Sequence, residues 1–324
     1  MKNKIIWNHT ENRPRYFWRL LGQLLILVFT LMLLDGTIAP LLNEIPTHGA
    51  YLSETVVGVS AFIISAWVAG RWLDHRSLAD FGFHLSARWW RQLGFGILLG
   101  AGLMTAVFLL ELALGYVTIA EVGYTVQPDQ PLLIALLIPF MGYMTVAISE
   151  EVLFRGYYLR NTAEMFGARL SPRFSLLLAT ILSSIFFGIV HASNPAATTI
   201  STIYLMFLGV LFAFGYLYTG ELAIPIGLHL TWNFFQGNIY GFPVSGWPIT
   251  GGSLLRIDQS GPEWITGGGF GPEAGVLGVG AMVLGCILIV VYARWRGEGG
   301  WNTNLARYTS RVHPESSETA PVMK

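Results

Sequence analysis

The sequence predicts an all-α protein, a polytopic membrane helix bundle of about eight spans. Three observations carry that expectation. Of 324 residues, 53% are hydrophobic and only 12% are charged, where a soluble domain carries about 25% charged residues. The apolar residues fall in runs near the ~20 residues that a ~30 Å hydrocarbon core requires. The basic residues collect in alternate connections, the pattern of a chain threaded back and forth through a membrane. This composition excludes a soluble enzyme and a disordered chain. Nineteen Lys and Arg balance nineteen Asp and Glu, so no net field draws the protein to nucleic-acid phosphate. The single cysteine, Cys286, forms no internal disulfide and reads as a small apolar residue.

The runs are 17–34, 52–73, 93–120, 132–154, 174–190, 198–218, 222–240 and 274–292. Within lipid each must be helical, because every backbone polar group needs an internal partner. The first run follows Lys2, Lys4, Arg13 and Arg15. It is read as an anchor and not a cleaved leader, because it is long and its small-x-small candidate, Thr37-Ile38-Ala39, runs into Pro40. Arg71, Arg76, Arg88 and Arg91 mark the second connection, Arg160, Arg169 and Arg173 the fourth, and Arg294 and Arg296 the end of the last span. The positive-inside rule then puts both termini in the cytoplasm. Trp89-Trp90 between two arginines is expected to anchor at the interface. The Gly-, Pro- and Ser-rich stretch 243–272 is expected to be an outward-facing irregular loop. The chain thus divides into one membrane domain, 1–296, with a motif-bearing core at about 130–240, and a polar tail, 297–324, expected to be disordered. No internal repeat of the kind found in transporters is visible.

Ionisable residues within apolar spans are costly and therefore informative. His9, His48, His75, His84 and His313 lie in connections or tails, whereas His191 and His229 lie at or within spans. In Ser149-Glu150-Glu151-Val152-Leu153-Phe154-Arg155, helical spacing puts Arg155 one turn beyond Glu151, a favoured ion-pair order. Glu150 points ~100° away and has no local cation. A buried carboxylate without a partner is the kind of group that serves as a general base. Phe187 and His191 share a helix face, as do His229 and Asn233. Each histidine alone reads more readily as a structural residue. Together, a base, two imidazoles and an amide are the parts of a hydrolytic site. Glu111, in the third span, is expected near the interface or hydrogen-bonded within the bundle.

Glu150-Glu151-x-x-x-Arg155, Phe187-x-x-x-His191 and His229-x-x-x-Asn233 resemble, in order and approximate spacing, the three motifs of the intramembrane CAAX-protease and bacteriocin-processing family. That family includes the type II CAAX prenyl endopeptidases and abortive-infection proteins. Gly267-Gly268-Gly269-Phe270-Gly271-Pro272-Glu273 resembles a segment of its bacterial members. The resemblance implies an endopeptidase in which Glu150 activates water with help from His191, His229 and Asn233 stabilise the oxyanion, and Glu151 and Arg155 order the site. It implies membrane lipid and a peptide or protein substrate as partners, including a prenylated C-terminal CAAX peptide. A catalytically inactive scaffold or bacteriocin self-immunity protein of the same family is a second reading; a transporter or ion channel is a third.

No cofactor is firmly expected. There is no H-E-x-x-H, and a histidine committed to an oxyanion is lost as a ligand. If a metal binds, zinc is the candidate and Glu150, His191 and His229 its ligands. Counted from the centre of the turn at Gly167–Pro172, Glu150 and His191 both come out ~30 Å away, but His229 lies only ~13 Å from the turn at Gly220, a mismatch in depth that the sequence does not resolve.

Overall fold

A computed structural model describes residues 5–45, 49–297 and 299–308. Seven of its helices are long and apolar enough to cross a membrane. A short ribbon of β1 (Trp7–Asn8) and β2 (Arg13–Pro14) precedes α1 (Tyr16–Thr37), α2 (Ala39–Asn43), α3 (Gly49–Trp72) and α4 (Ala87–Ala113). Strand β3 (Val117–Thr125) follows, and then α5 (Leu132–Glu151), which continues through a π segment, Val152–Leu159, into α6 (Arg160–Gly167). The bundle closes with α7 (Pro172–Val190), α8 (Thr199–Thr219), α9 (Ala223–Phe234) with a π turn at Phe235–Ile239, β4 (Gly252–Gln259), the single turn α10 (Glu263–Thr266) and α11 (Val276–Trp295).

The eighth apolar run, 222–240, is α9 and its π turn. It is shorter than the other spans and is buried from Ala223 through Trp232. Two glycines of α4 admit it. A Cβ on Gly96 would strike the carbonyl of Ile224, and one on Gly100 the carbonyl of Leu228 and the hydroxyl of Thr231. This small-x-x-x-small face lets two helix backbones touch, and Thr231 Oγ1 donates to Ile97 O at 2.9 Å across the contact. α9 is therefore a central helix walled in by protein.

Three expectations are corrected. The stretch 243–272 is not irregular throughout: β4 pairs antiparallel with β3, with a register shift between Ile119 and Glu121. β4 alternates between half-buried and exposed residues along most of its length, as a strand with one covered face does, whereas β3 is exposed from Thr118 through Val122. Within Trp89-Trp90, only Trp90 stands exposed; Trp89 is buried and its Nε1 donates to Gly82 O at 2.9 Å. The tail is ordered at its start. A short 3₁₀ turn, Thr303–Ala306, buries Leu305 and Ala306, Asn302 N donates to Leu217 O, and Tyr308 packs under the Arg13 guanidinium. Its aromatic and apolar residues supply the burial that a purely polar tail lacks. Residues 309–324, and with them His313, lie outside the described residues, as does His48.

At this end of the bundle a buried ion network ties the chain together. Arg13 bridges Asp74 (3.2 Å) and Glu164 (3.0 Å), Arg19 binds Asp74 (2.6 Å), and Arg76 binds Glu164. It joins the N-terminal ribbon, α1, the α3–α4 connection and α6. No sequence spacing announced it, since the partners are 55 to 151 residues apart.

Candidate active site

The site forms where α5 passes into its π segment. Arg155 lies one turn beyond Glu151 and its Nη1 donates to Glu151 Oε1 at 2.9 Å, as the spacing anticipates. Both side chains are essentially without solvent contact. Nη2 of Arg155 donates to Gly209 O at 3.0 Å, and the rings of Phe154, Phe187 and Phe212 surround the guanidinium, with centroids 4.7–5.9 Å from Cζ. A charge held by aromatic faces and a carboxylate tolerates burial that an isolated one would not.

His229 projects from α9 onto the same pair. Its ring stacks on Phe212 (centroids 4.5 Å, planes 17° apart), and Nδ1 lies 3.0 Å from Glu151 Oε1. Nε2 lies 4.0 Å from Glu150 Oε2, beyond hydrogen-bond reach. His229 thus sits between the two carboxylates, an arrangement the motif spacing did not reveal. Glu151 is fully buried and serves both Arg155 and His229, whereas the Glu150 carboxyl retains 16% exposure. Asn233 follows His229 by one helical turn and is half-buried. Among the described residues the two share no hydrogen-bond acceptor.

The depth mismatch disappears, and the reason is the length of the fourth span. α5, the π segment and α6 form one 36-residue rod. The α8–α9 turn does not lie beside its end at Gly167. A Cβ on Gly156 would stand 3.5 Å from Leu222 Cδ1, while Gly167 abuts Ala306. From the shared level of Gly156 and Leu222, Glu150 is ~9 Å along its helix and His229 ~10 Å along its own. The rod projects ~16 Å beyond that level, and residues 303–306 pack against the projection.

His191 ends α7. Its Nδ1 donates to Phe187 O at 2.7 Å, which directs Nε2 away from the helix, and its ring lies 4.7 Å from that of Phe187. Phe187 also borders His229, at 6.4 Å between centroids, so the two imidazoles flank one phenyl ring. Among the described residues no group of three or more His, Cys, Asp or Glu side chains is arranged to hold a metal ion, and the set Glu150, His191 and His229 is not one. The reason is local. One imidazole is turned to Glu151 and the other caps its own helix.

Glu111 is buried near the end of α4 and accepts a hydrogen bond from Gln259 Nε2 at 2.9 Å, within the bundle as expected. Cys286 is half-buried against the core. A cavity of about 230 Å³ lined by Arg88, Arg91, Tyr292 and Arg296 contains none of these site residues. Sequence reasoning missed a second polar cluster beside the site, centred on Glu273. Its only signal was the glycine-rich stretch that precedes it.

The fold and the site together define a class: an integral membrane helix bundle with paired glutamates and histidines enclosed among its spans. Residues 131–235 match the family model described as Rce1-like, type II CAAX prenyl endopeptidase Rce1-like, and that segment is similar to the CAAX protease family. The matched segment holds Glu150, Glu151, Arg155, His191, His229 and Asn233. No curated protein and no solved structure matches the chain.

Proposed function

We propose that the protein is an intramembrane endopeptidase of the CAAX prenyl protease type, hydrolysing a peptide bond with water activated by Glu150. The observation that carries this reading is the asymmetry of the two carboxylates. Glu151 is enclosed and committed to Arg155 and His229, while Glu150 stands half-open beside His229 Nε2. Glu150 takes a proton from water as the oxygen attacks the scissile carbonyl. His191, whose Nδ1 donates to the backbone, offers Nε2 as a second acceptor for that water. The tetrahedral oxyanion is met by donors from His229 Nε2 and Asn233. Glu151 behind Nδ1 holds the His229 ring in place. The C–N bond then breaks, and the proton held by Glu150 passes to the leaving amine. The substrate is a peptide or protein reaching the site through lipid, with a prenylated C-terminal CAAX peptide the first to try. Alternation of basic residues supports a cytoplasmic position for both termini, which a reporter fused after Arg296 tests directly.

Purified protein in detergent is expected to cleave a farnesylated CAAX peptide and to keep doing so after exhaustive chelation, since a glutamate base and side-chain donors need no cation. Activity lost on chelation and restored by stoichiometric zinc would reverse the metal-free mechanism. A protein that cleaves no prenylated or unprenylated peptide would instead be a scaffold or self-immunity protein.

In the same assay His229→Ala and Asn233→Ala should each lower turnover on the order of 10²–10³-fold, the usual effect of removing one oxyanion donor. The double variant should lose much less than the product, because both donors serve one charge. Strictly multiplicative losses would separate their roles.

A further inference from the structure

The segment Gly267–Glu273 is absorbed by none of the chemistry above, yet it ends in a carboxylate hydrogen-bonded to the π turn after α9 and to the loop that follows it. Glu273 is 1% exposed. Its Oε1 accepts from Ser245 N at 2.6 Å and from Ser245 Oγ at 3.1 Å, and its Oε2 accepts from Gln236 Nε2. Gln236 belongs to the π turn that follows Asn233, and its Nε2 also donates to Pro243 O at 2.6 Å. Ser245 in turn accepts, through its carbonyl, from Asn194 Nδ2 at 2.9 Å. Asn194 lies three residues after His191, on the same α7–α8 loop. The glycines are required for this closeness. Gly271 has φ +117, and a Cβ there would come within 2.6 Å of Gln236 Nε2 and 2.8 Å of Glu273 Oε2, as well as striking Pro243 O.

We infer that Glu273 is a positioning residue that latches the His191 loop, through Ser245 and Asn194, to the turn bearing Asn233, through Gln236. This deepens the endopeptidase reading and rests on it for its kinetic consequence. All three hydrogen-bonding groups facing Glu273 are donors, so an acceptor on both arms of residue 273 is what sets the distance between the loops. The titratable groups nearby are the Tyr143 phenol of α5 and, beyond it, Tyr51 of α3. Burial pushes the Glu273 carboxyl up to about 7 against the opposing pull of its hydrogen bonds, so the latch carries its own titration. The folded protein holds this proton more tightly than the unfolded chain. The contribution of Glu273 to stability therefore falls as pH rises from the usual carboxylate value through about 7 and is level above it.

Glu273→Gln keeps the shape but turns an amide NH₂ toward the Gln236 NH₂. It should lower kcat on the order of 10²-fold, the scale of an ångström-level misplacement, with KM changed by no more than about 3-fold. It should also lessen the fall in thermal stability across that pH window. Gln236→Ala cuts the same link from the other side and should lower kcat to a similar extent, and combining it with Glu273→Gln should add little further loss. Unchanged kcat in Glu273→Gln, or losses that multiply in the double variant, would overturn the inference. If the wild-type protein cleaves no peptide, the endopeptidase reading fails by itself. The latch is then read from the pH slope of unfolding and from protease protection of residues 191–198, which Glu273→Gln should lessen; intact protection and an unchanged slope would sink it.

Discussion

Glu150→Gln is expected to fold, to insert and to cleave nothing detectable. The substitution preserves volume and hydrogen bonding but removes basicity. Glu150 is half-open and its nearest ion-pair partner, His229, is 4.0 Å away, so little packing or pairing depends on it. Unfolding in detergent should stay close to wild type. Loss of a general base alone removes ~10²–10⁴-fold of rate, and an amide cannot take the proton from water at all. The measurement is turnover on a farnesylated peptide beside thermal unfolding of the same preparation. Turnover within tenfold of wild type would remove Glu150 from the proton transfer.

Glu151→Gln should fail differently, by losing stability together with activity. Glu151 Oε1 meets both Arg155 Nη1 at 2.9 Å and His229 Nδ1 at 3.0 Å, in a setting with no solvent. Removing its charge leaves the buried Arg155 guanidinium with a backbone carbonyl and three aromatic faces but no hydrogen-bonded anion. Breaking one side of a buried pair typically costs about 3–5 kcal/mol. It also withdraws the carboxylate oxygen that holds the His229 ring through Nδ1. Thermal unfolding of Glu151→Gln should therefore drop markedly, with turnover low even where the protein remains folded. A fully stable but dead Glu151→Gln, alongside substantial turnover in Glu150→Gln, would mean that the two roles are exchanged.

The contrast between the adjacent glutamates also marks where local pattern suffices. The i,i+4 spacing of Glu151 and Arg155 made one pair legible because both partners ride on one helix, and that pair persists although the backbone is π-helical from Val152 to Leu159. The contact of His229 with Glu151 spans 78 residues and depends on how far α9 sinks between its neighbours, which no periodicity encodes. The depth estimate for His229 failed for a related reason. It assumed that two turns lie at one level, whereas the fourth span is a long rod that overshoots the α8–α9 turn.

The membrane bundle, the positions of seven spans and the helical partnership of Glu151 with Arg155 were legible in the sequence. These are consequences of composition and of contacts within one helical turn, where the backbone period sets geometry directly. Only the tertiary structure decided that α9 is a central helix admitted by Gly96 and Gly100, that His229 lies between two carboxylates, that β3 and β4 form a ribbon, and that Glu273 gathers three loops beside the site. Each of these joins segments distant in sequence, and their placement follows from how closely whole helices and loops can pack, a property of the assembled surfaces that no single stretch of chain carries.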